Sequence, residues 1–478
     1  MSEPTLYLAT NALVLTATVL FAIWISRKSR NAEGWSVGGR SLPFIVVLLT
    51  QFATASGGGM LVAQVGLGYQ FGWGVITYGL FSAGGVMGLI FLAKWLRAHE
   101  FVSLPDIIKK LYGNHKFLTT IITLMTMVVP FGWLCTQLVA FANLFSTFTG
   151  ISPTFLAIGF AIVGLIFILP GGMTSVAWTD ALFGGLMVVM GVTTVFFALN
   201  SSGGWTEVMA TATPERSSWY GFIAPGLLTI ALWFMSVLPG TMTNQMYFQR
   251  IYAASTLKAV IWSLIGTGVL LLGTKFYAAI LGMSAYSMNP DLANPEYAAG
   301  TVISQMPLIL AVLYSTFICA TLLSTVTSAV QSVVVNVTQD LVKSYSKTEV
   351  SPGRELSLSR AFSVVILALA LVLSLAFPGA LDWIVASYAY SAAGLFCPIF
   401  LGFVLRRTSL LGPISAIAGV LGGVAGAAIA QVVGSVIPYA MVGLVASAAA
   451  MLIVGVFTPR QMRSDHEIDA SAKVSAEV

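Results

Sequence analysis

The chain has 478 residues, of which 57% are hydrophobic and only 8% charged, and its net charge at neutral pH is +5. A soluble domain carries about 25% charged residues, so this composition excludes a soluble enzyme, a nucleic-acid-binding protein and a secreted disulfide scaffold. We predict an all-α integral membrane protein. Cys135, Cys319 and Cys397 all lie in apolar runs, which predicts packed thiols instead of disulfides or a metal site.

A helix that spans a membrane needs about 20 mostly apolar residues, and the sequence predicts about thirteen such spans. They cover residues 7–26, 43–66, 73–96, 117–146, 154–170, 177–198, 221–247, 258–285, 307–338, 359–377, 381–405, 409–433 and 436–457. The first run is too long for a cleaved signal peptide, and no loop is long enough to hold a soluble domain. We therefore expect one transmembrane domain over 1–478 with a short cytoplasmic tail at 458–478.

The basic residues predict the orientation, because the cytoplasmic loops of membrane proteins are enriched in Lys and Arg. With the N-terminus outside, every Lys and Arg except Arg216 and Lys275 falls in a predicted cytoplasmic loop or in the tail. The positive net charge then follows from topology and does not indicate nucleic-acid binding. We expect a multi-pass protein of the inner (plasma) membrane with a cytoplasmic C-terminus.

Two predicted spans contain residues that interrupt helices. The second span has the glycine run 57–59, and the seventh has Pro239 followed by Gly240. In hydrocarbon, such breaks are tolerated where they are buried or line a cavity. The breaks lie five spans apart, so spans 2–6 and 7–11 are inserted with opposite topology, which predicts inverted repeats at 43–198 and 221–405. This pattern is typical of secondary transporters with a midplane site; tight helix packing at glycines is the alternative.

Asp180 and Lys275 are the ionisable residues that fall within predicted spans. A charge at the bilayer centre costs at least about 2.5 kcal/mol, so a functional role is the first hypothesis for both. A solvated helix end is the alternative for Asp180, and a structural ion pair is the alternative for Lys275. His99, His115 and His466 lie in loops or the tail, which argues against a histidine proton relay.

A stripe of hydroxyl groups marks the ninth span. Its members are Thr321, Ser324, Thr325, Thr327, Ser328 and Ser332. Four of them recur at helical spacing on one face, and oxygen ligands of this kind suit an alkali cation for which Asp180 can supply negative charge. Helix packing, or bonds from the hydroxyls to their own backbone, is the alternative.

Several segments resemble signatures of the sodium:solute symporter family. Residues 171–180, GGMTSVAWTD, resemble its GG(L/M)xxVxWTD signature, and 38–43 matches the GGRxLP opening before the second span. Residues 324–328 followed by Asp340 resemble the sodium-binding ninth helix, and 244–250 resembles the QxxxQR segment after the broken seventh helix. The resemblance covers spans 1–12. It implies a LeuT-like 5+5 inverted repeat with two discontinuous helices, plus one N-terminal and two C-terminal helices.

The resemblance also implies that sodium is the coupling ion, bound at one site or at two. By position, the main site would use the backbone carbonyls of Ala53, Ser56 and Thr321 and the hydroxyls of Ser324 and Thr325. A second site, present in some members, would map to Asp180, Ser324, Thr327 and Ser328.

The residues that recognise solutes in several branches of the family are absent here. The glutamine and glutamate of sugar transporters correspond to Met60 and Gly79, and the aspartate of proline transporters corresponds to Ala55. The tryptophans of choline transporters correspond to Ala55 and Asn244. These differences argue against a sugar, proline or choline as the solute.

A carboxylate-bearing solute is favoured instead, because Lys275 is a cation within a span and the glycine run offers backbone N–H groups. The residues predicted to bind the solute are Gly57, Gly58, Gly59, Met60, Gln137, Asn244, Gln245 and Lys275. For Gln137, an interhelical hydrogen bond is an equal alternative.

These features predict a sodium-coupled secondary active symporter, and not an enzyme, that imports a small organic solute by alternating access. The solute classes considered are amino acids, pantothenate and monocarboxylates. The alternatives are a proton-coupled symporter of the same fold, a solute sensor built on a transport fold, and a passive channel. The expected partners are the solute and the lipid bilayer, with no nucleic acid and no obligate protein partner.

Overall fold

The computed structural model describes residues 3–26, 38–99, 101–168, 173–346 and 350–458. This part of the chain is helical, apart from short connections and one isolated β-bridge between Leu42 and Ala254. Ten of its helices are long and apolar enough to cross a membrane. The prediction of an all-α membrane protein is confirmed, and the predicted count of about thirteen spans is approximate.

The helical segments follow the predicted spans closely. They are α1 Glu3–Ser26, α2a Phe44–Ala55, α2b Gly58–Phe71, α3 Gly74–Ala98, α4 Lys116–Thr149, α5 Pro153–Ile168, α6 Met173–Ser201, α7a Leu227–Met242, α7b Gln245–Ala253, α8 Leu257–Met288, α9 Leu308–Tyr345, α10 Pro352–Ala376, α11 Ala380–Val404, α12 Pro413–Val432 and α13 Tyr439–Phe457. The ten helices counted above are α3, α4 and α6–α13. Residues 171 and 172 and the predicted tail from 459 onward lie outside the described residues.

The contacts among the helices repeat when each helix of α2–α6 is exchanged with its counterpart in α7–α11. In this exchange α2 corresponds to α7, α3 to α8, α4 to α9 and α6 to α11. α2 packs against α6 and α8, while α7 packs against α11 and α3, and the contact of α6 with α9 matches that of α11 with α4. Such paired contacts are what an inverted repeat of five helices requires. The end points 43–198 and 221–405 of the two repeats remain predictions.

α9 lies at the centre of the bundle. In the most apolar 18-residue stretch of α9, 83% of the residues are buried, whereas the corresponding share is 28% in α6, α10 and α13. An apolar helix at the periphery presents its side chains to lipid, whereas α9 presents its hydroxyl stripe to other helices. The stripe predicted from the sequence is therefore inside the protein.

α2 is interrupted at Ser56 and Gly57, where the backbone leaves the helical region (φ −102°, ψ 13° and φ −40°, ψ 168°). Gly57 lies so close to α9 that a Cβ atom there would collide with the side chain of Thr325. Glycine is required by this close approach. The break predicted from the glycine run is confirmed, and Gly58 and Gly59 form the first turn of α2b.

The predicted position of the break in α7 is wrong. Pro239 and Gly240 lie inside α7a, and the helix is interrupted four residues later, at Thr243 and Asn244. α7a packs closely on α11 here, because a Cβ on Gly240 would come within 2.6 Å of the Tyr388 side chain.

Side chains replace the backbone hydrogen bonds at the observed break in α7. The Thr243 hydroxyl donates to the carbonyl of Gly240 (3.1 Å) and shares a hydrogen bond with the hydroxyl of Ser391 (2.8 Å). Asn244 Oδ1 accepts the N–H of Met246 (3.0 Å) and so caps α7b. The capping residues, and not the proline, decide where the helix stops.

The connection between α8 and α9 ties α4 to α11 at one end of the bundle. The carboxylate of Glu296 accepts hydrogen bonds from Asn143 Nδ2 of α4 (2.8 Å) and from the N–H of Leu381 in the first turn of α11 (3.2 Å). A carboxylate at a helix N-terminus is favoured by the helix dipole. Burial raises the pKa of Glu296, while these hydrogen bonds act in the opposite direction.

The opposite end is closed by the short helix Leu104–Tyr112, which lies between α3 and α4. Ser103 Oγ, just before this helix, donates to Asp340 Oδ1 in the last turns of α9 (3.0 Å). Lys109 pairs with Asp106 (3.0 Å) and also reaches Asp340 (3.4 Å). These contacts lock the end of α9, where the helix widens into a π-helical stretch, Asn336–Val342.

The orientation can be tested by labelling single cysteines with a membrane-impermeant maleimide in intact cells. Glu207 is exposed in the connection between α6 and α7, and Arg354 is exposed in the first turn of α10, on the opposite predicted side, whereas Cys135, Cys319 and Cys397 are buried. We expect Glu207→Cys to react from outside and Arg354→Cys to react only after permeabilisation. The reverse pattern would overturn the predicted orientation.

Candidate functional site

Asp180 of α6 is the centre of a buried polar cluster. Its Oδ2 accepts hydrogen bonds from the hydroxyls of Thr50 (2.9 Å) and Thr54 (3.2 Å) of α2a and of Ser328 (3.2 Å) of α9. Its Oδ1 accepts the hydroxyl of Ser324. Only 1% of Asp180 is exposed, so the alternative of a solvated helix-end carboxylate is excluded. Asp180 joins three helices that the sequence separates by more than a hundred residues.

Arg250 supplies the opposite charge. Its Nη2 lies 3.0 Å from Asp180 Oδ2 and 3.0 Å from Ser328 Oγ, and its Nε donates to Thr50 Oγ1 (3.3 Å). The prediction that Arg250 lies in a cytoplasmic loop is wrong. α7b carries it into the bundle, where 1% of it is exposed. A buried carboxylate requires a partner, and this requirement was the signal that could have found Arg250.

The break in α2 and the hydroxyl face of α9 meet next to this cluster. The carbonyls in the last turn of a helix have no intrahelical partner, and Ala53 and Ser56 lie at that point of α2a. Across the junction, the hydroxyl of Thr325 donates to the carbonyl of Thr321 (3.2 Å), while Ser324 donates to Asp180. The five residues predicted for the main sodium site are thus brought to one junction.

These oxygens fit a cation in two respects. A hydroxyl that donates its single hydrogen still has lone pairs to offer, so the bonds made by Ser324 and Thr325 leave both oxygens available as ligands. The hydroxyl oxygens of Ser56 and Thr321 are buried and make no hydrogen bond. Buried polar atoms without partners are costly, and a bound ion would offset that cost.

The residues predicted for a second sodium site are brought together in part. Ser324 and Ser328 both contact Asp180. The hydroxyl of Thr327 instead donates to the backbone carbonyl of Ser324 (2.7 Å), which is the alternative considered for such stripes. Arg250 also occupies Asp180 Oδ2, a contact that the sequence analysis did not foresee.

Two of the predicted solute residues meet at the start of α2b. Gln137 Oε1 of α4 accepts the N–H of Gly59 (3.2 Å), and its Nε2 donates to the carbonyl of Trp133 (3.2 Å). The N–H of Gly59 is therefore occupied by a side chain of the protein, and the glycine run offers fewer groups to a solute than predicted. Gly57 lies two residues before Gly59, at the break in α2. The side chain of Met60 is outside the described residues.

Asn244 lies in an aromatic cluster that the sequence analysis missed. Tyr388 of α11 interacts through its hydroxyl with Asn244, Thr241, Tyr247 and Trp133. Trp133 Nε1, Thr241 Oγ1 and Asn244 Nδ2 are buried and make no hydrogen bond of regular geometry. The sequence signal for this cluster is the presence of tyrosines, a tryptophan and amides within apolar spans. Buried Tyr and Trp normally find hydrogen-bond partners, so these residues could have been expected to meet.

Lys275 is fully buried on α8. Its ammonium donates to Gln64 Oε1 of α2b and to Thr274 Oγ1 (3.3 Å), and it lies 5.9 Å from the centre of the Tyr78 ring of α3. Gly79 makes room for its stem, because a Cβ at that position would collide with Lys275. Tyr78 is close enough to Tyr388 to interact with it, so Lys275 borders the aromatic cluster.

Gln245 lies elsewhere. Its Oε1 accepts the N–H of Leu104 (2.9 Å), which begins the short helix that closes one end of the bundle. The structure therefore separates Gln245 from Gln137, Asn244 and Lys275, although it follows Asn244 directly in the sequence.

The importance of the buried pair can be tested with Arg250→Met. This change leaves Asp180 buried without an opposite charge, so we expect the free energy of unfolding to fall by about 3–5 kcal/mol. The measurement is thermal unfolding of the purified protein without sodium. Arg97→Met is the control, because Arg97 is half-buried and donates to the carbonyl of Ser255 (2.7 Å); an equal loss in both variants would contradict a special role for the pair.

Comparison with known proteins agrees with this architecture. Residues 35–423 match the sodium:solute symporter family. The sodium/glucose cotransporter of Vibrio parahaemolyticus is 21% identical over 84% of this chain and 81% of its own length. The sodium/proline symporter of Salmonella typhimurium is 24% identical over 85% of this chain and 84% of its own length.

Among solved structures, an outward-open, substrate-bound sodium-coupled sialic acid symporter superimposes with a TM-score of 0.81. The alignment covers 96% of this chain and 99% of that one at 19% sequence identity, which establishes the fold. The fold, the broken helices and the match over most of the chain lead to one conclusion: the chain belongs to the sodium:solute symporter family, whose coupling ion is sodium.

Proposed function

We propose that the protein imports a small, carboxylate-bearing organic solute together with sodium by alternating access. The observation that carries this proposal is the junction between the α2 break and α9, where Gly57 contacts Thr325 and where the last turn of α2a leaves carbonyls without an intrahelical partner. Relatives that transport a sugar, an amino acid and a sialic acid share the fold, so similarity does not choose the solute.

Sodium at this junction would use the carbonyls of Ala53, Ser56 and Thr321 and the hydroxyls of Ser324 and Thr325. An ion held there joins α2 to α9 and fixes the first turn of α2b, to which Gln137 is bonded. The binding of sodium thereby organises the solute site. The coupling is reciprocal, because a solute that favours the same arrangement raises the affinity for sodium by the same factor.

Asp180 would guide sodium between this junction and the cytoplasm. Its charge is balanced by Arg250 when no ion is present. A second sodium at Asp180, Ser324, Thr327 and Ser328 would add a positive charge next to the guanidinium. We therefore propose that a second ion binds only when Arg250 moves away from Asp180 Oδ2.

The solute would lie between the α2 break, α4, α7 and α11, against Gln137, Asn244 and Tyr388. Trp133 Nε1 and Asn244 Nδ2, which are buried near the hydroxyl of Tyr388, are both donors. Donors and the nearby ammonium of Lys275 suit a solute rich in acceptors, such as a carboxylate.

Uptake into proteoliposomes tests sodium coupling. We expect a sodium gradient to drive accumulation of a labelled amino acid other than proline, of pantothenate or of lactate above equilibrium, and a pH gradient alone to drive none. Ser324→Ala with Thr325→Ala removes two ligands, each at about 1.5–3 kcal/mol for a bond to a charge, so the apparent affinity for sodium should fall about a hundredfold or more.

The matched control is Ser315→Ala on the same helix, because Ser315 is buried and its hydroxyl bonds only the local carbonyl of Val312 (3.0 Å). It should leave sodium dependence unchanged. Full activity in the double variant, or uptake driven by protons without sodium, would refute the proposed coupling and favour the proton-coupled alternative. Flux that never exceeds equilibrium would favour a channel.

The class of solute is tested with Lys275→Met. We expect uptake of carboxylate solutes to be lost, or competition to shift toward their uncharged amides, while stabilisation of the protein by sodium is retained. Lys258→Met is the control, since Lys258 is exposed at the other end of the same helix. Unchanged carboxylate uptake in Lys275→Met would overturn the carboxylate assignment and leave sodium coupling intact.

A further inference from the structure

An apolar crevice lies beside the α2 break, on the side away from the aromatic cluster. It has a volume of about 290 Å³ and is bounded by α2, α6 and α8. Its floor is formed by Phe52, Ser56 and Leu61 of α2, and its walls include Met187 and Val195 of α6. None of the ionisable residues of the sites described above lines it.

The polar groups of its walls on α8 are satisfied within the protein. The hydroxyl of Thr274 donates to the carbonyl of Leu271 (2.7 Å), and the hydroxyl of Tyr277 is bonded to that of Tyr314 on α9. Apart from Ser56 and the glycines 191 and 273, the rest of the lining consists of aliphatic and aromatic side chains. A polar solute would find almost no hydrogen-bond partners here, whereas a hydrocarbon needs none.

The mouth of the crevice opens on the outer surface of the helix bundle. Val188, Val192 and Phe196 of α6 and Phe276 of α8 border it, and between 41% and 71% of each of these side chains is exposed. Large apolar side chains exposed at the middle of membrane-spanning helices face lipid. The space is therefore continuous with the hydrocarbon of the bilayer.

We propose that the crevice binds an acyl chain of a membrane lipid. Within the bilayer, the driving force is dispersion, because atoms that line a void lack contacts that an inserted chain restores. The inserted chain would pack against Ser56, one of the residues at the proposed sodium junction. A lipid at this place would thus support the broken segment of α2 from the side of α6 and α8.

The experiment uses the full chain reconstituted in phosphatidylglycerol vesicles that contain a lipid with a photoactivatable diazirine in its acyl chain. After irradiation, mass spectrometry locates the adducts. We expect adducts on the floor of the crevice, at Phe52 or Leu61, which are only 2% and 4% exposed. Adducts on the lipid-facing side of α6, at Val189, report that the lipid is present in every sample.

Filling the crevice provides the matched variants. A Cβ atom added at Gly273 meets nothing within 4 Å, and one added at Gly191 first meets Tyr277 at 3.8 Å, so Gly191→Leu with Gly273→Leu places two apolar side chains in the lining without a clash at Cβ. Adducts on the floor should fall severalfold in this variant and persist in Gly185→Leu, a change on α6 outside the crevice that also meets nothing within 4 Å. The proposal would be overturned if the floor residues carried no adducts in the wild type. It would also be overturned if they were labelled equally in the wild type and in the filled variant.

Discussion

The buried ion pair between Asp180 and Arg250 is the interaction on which the rest of the structure depends. It unites α6 and α7b, and the hydroxyls of Thr50 and Ser328 bring α2a and α9 to the same point. Neither charge is tolerable alone in a membrane interior. Because the pair is neutral as a whole, the protein can keep a carboxylate beside the proposed sodium junction without a bound ion. The same contacts hold α2a and α9, which carry the hydroxyl groups, in a fixed position relative to each other.

The two breaks convert this packing into a site. In α2 the chain leaves the helix where Gly57 contacts α9, so the last turn of α2a has carbonyls without an intrahelical partner next to the hydroxyl stripe. In α7 the break is fixed by the side chains of Thr243 and Asn244, and Asn244 then faces Tyr388. In the proposed function, the break in α2 serves the ion and the break in α7 the solute. Gln137 links the first break to the bundle by accepting the N–H of Gly59.

Much of this arrangement was predictable, for reasons that are local. Hydropathy fixes the spans, the glycine run fixes the break in α2, and the spacing of hydroxyls fixes the face of α9 that meets it. The break in α7 was misplaced because proline is a strong local signal, whereas the actual stop is made by a contact with Ser391, which lies far along the chain. Arg250 was missed for a similar reason: its position after an apolar run resembles a loop, and only the need of Asp180 for a counter-charge reveals its burial. The aromatic cluster around Tyr388 depends on four helices meeting, which no pattern along the chain records.

The central claim is that the charge balance at Asp180 controls sodium binding at the junction of α2 and α9. The most direct measurement is equilibrium binding of radioactive sodium to the purified wild type, to Asp180→Asn, and to Asp180→Asn combined with Arg250→Met. The single variant leaves the guanidinium unbalanced beside the junction, so sodium affinity should fall strongly, and the double variant should recover part of it, a non-additive result typical of coupled residues. Wild-type affinity in Asp180→Asn, or no recovery in the double variant, would contradict the account.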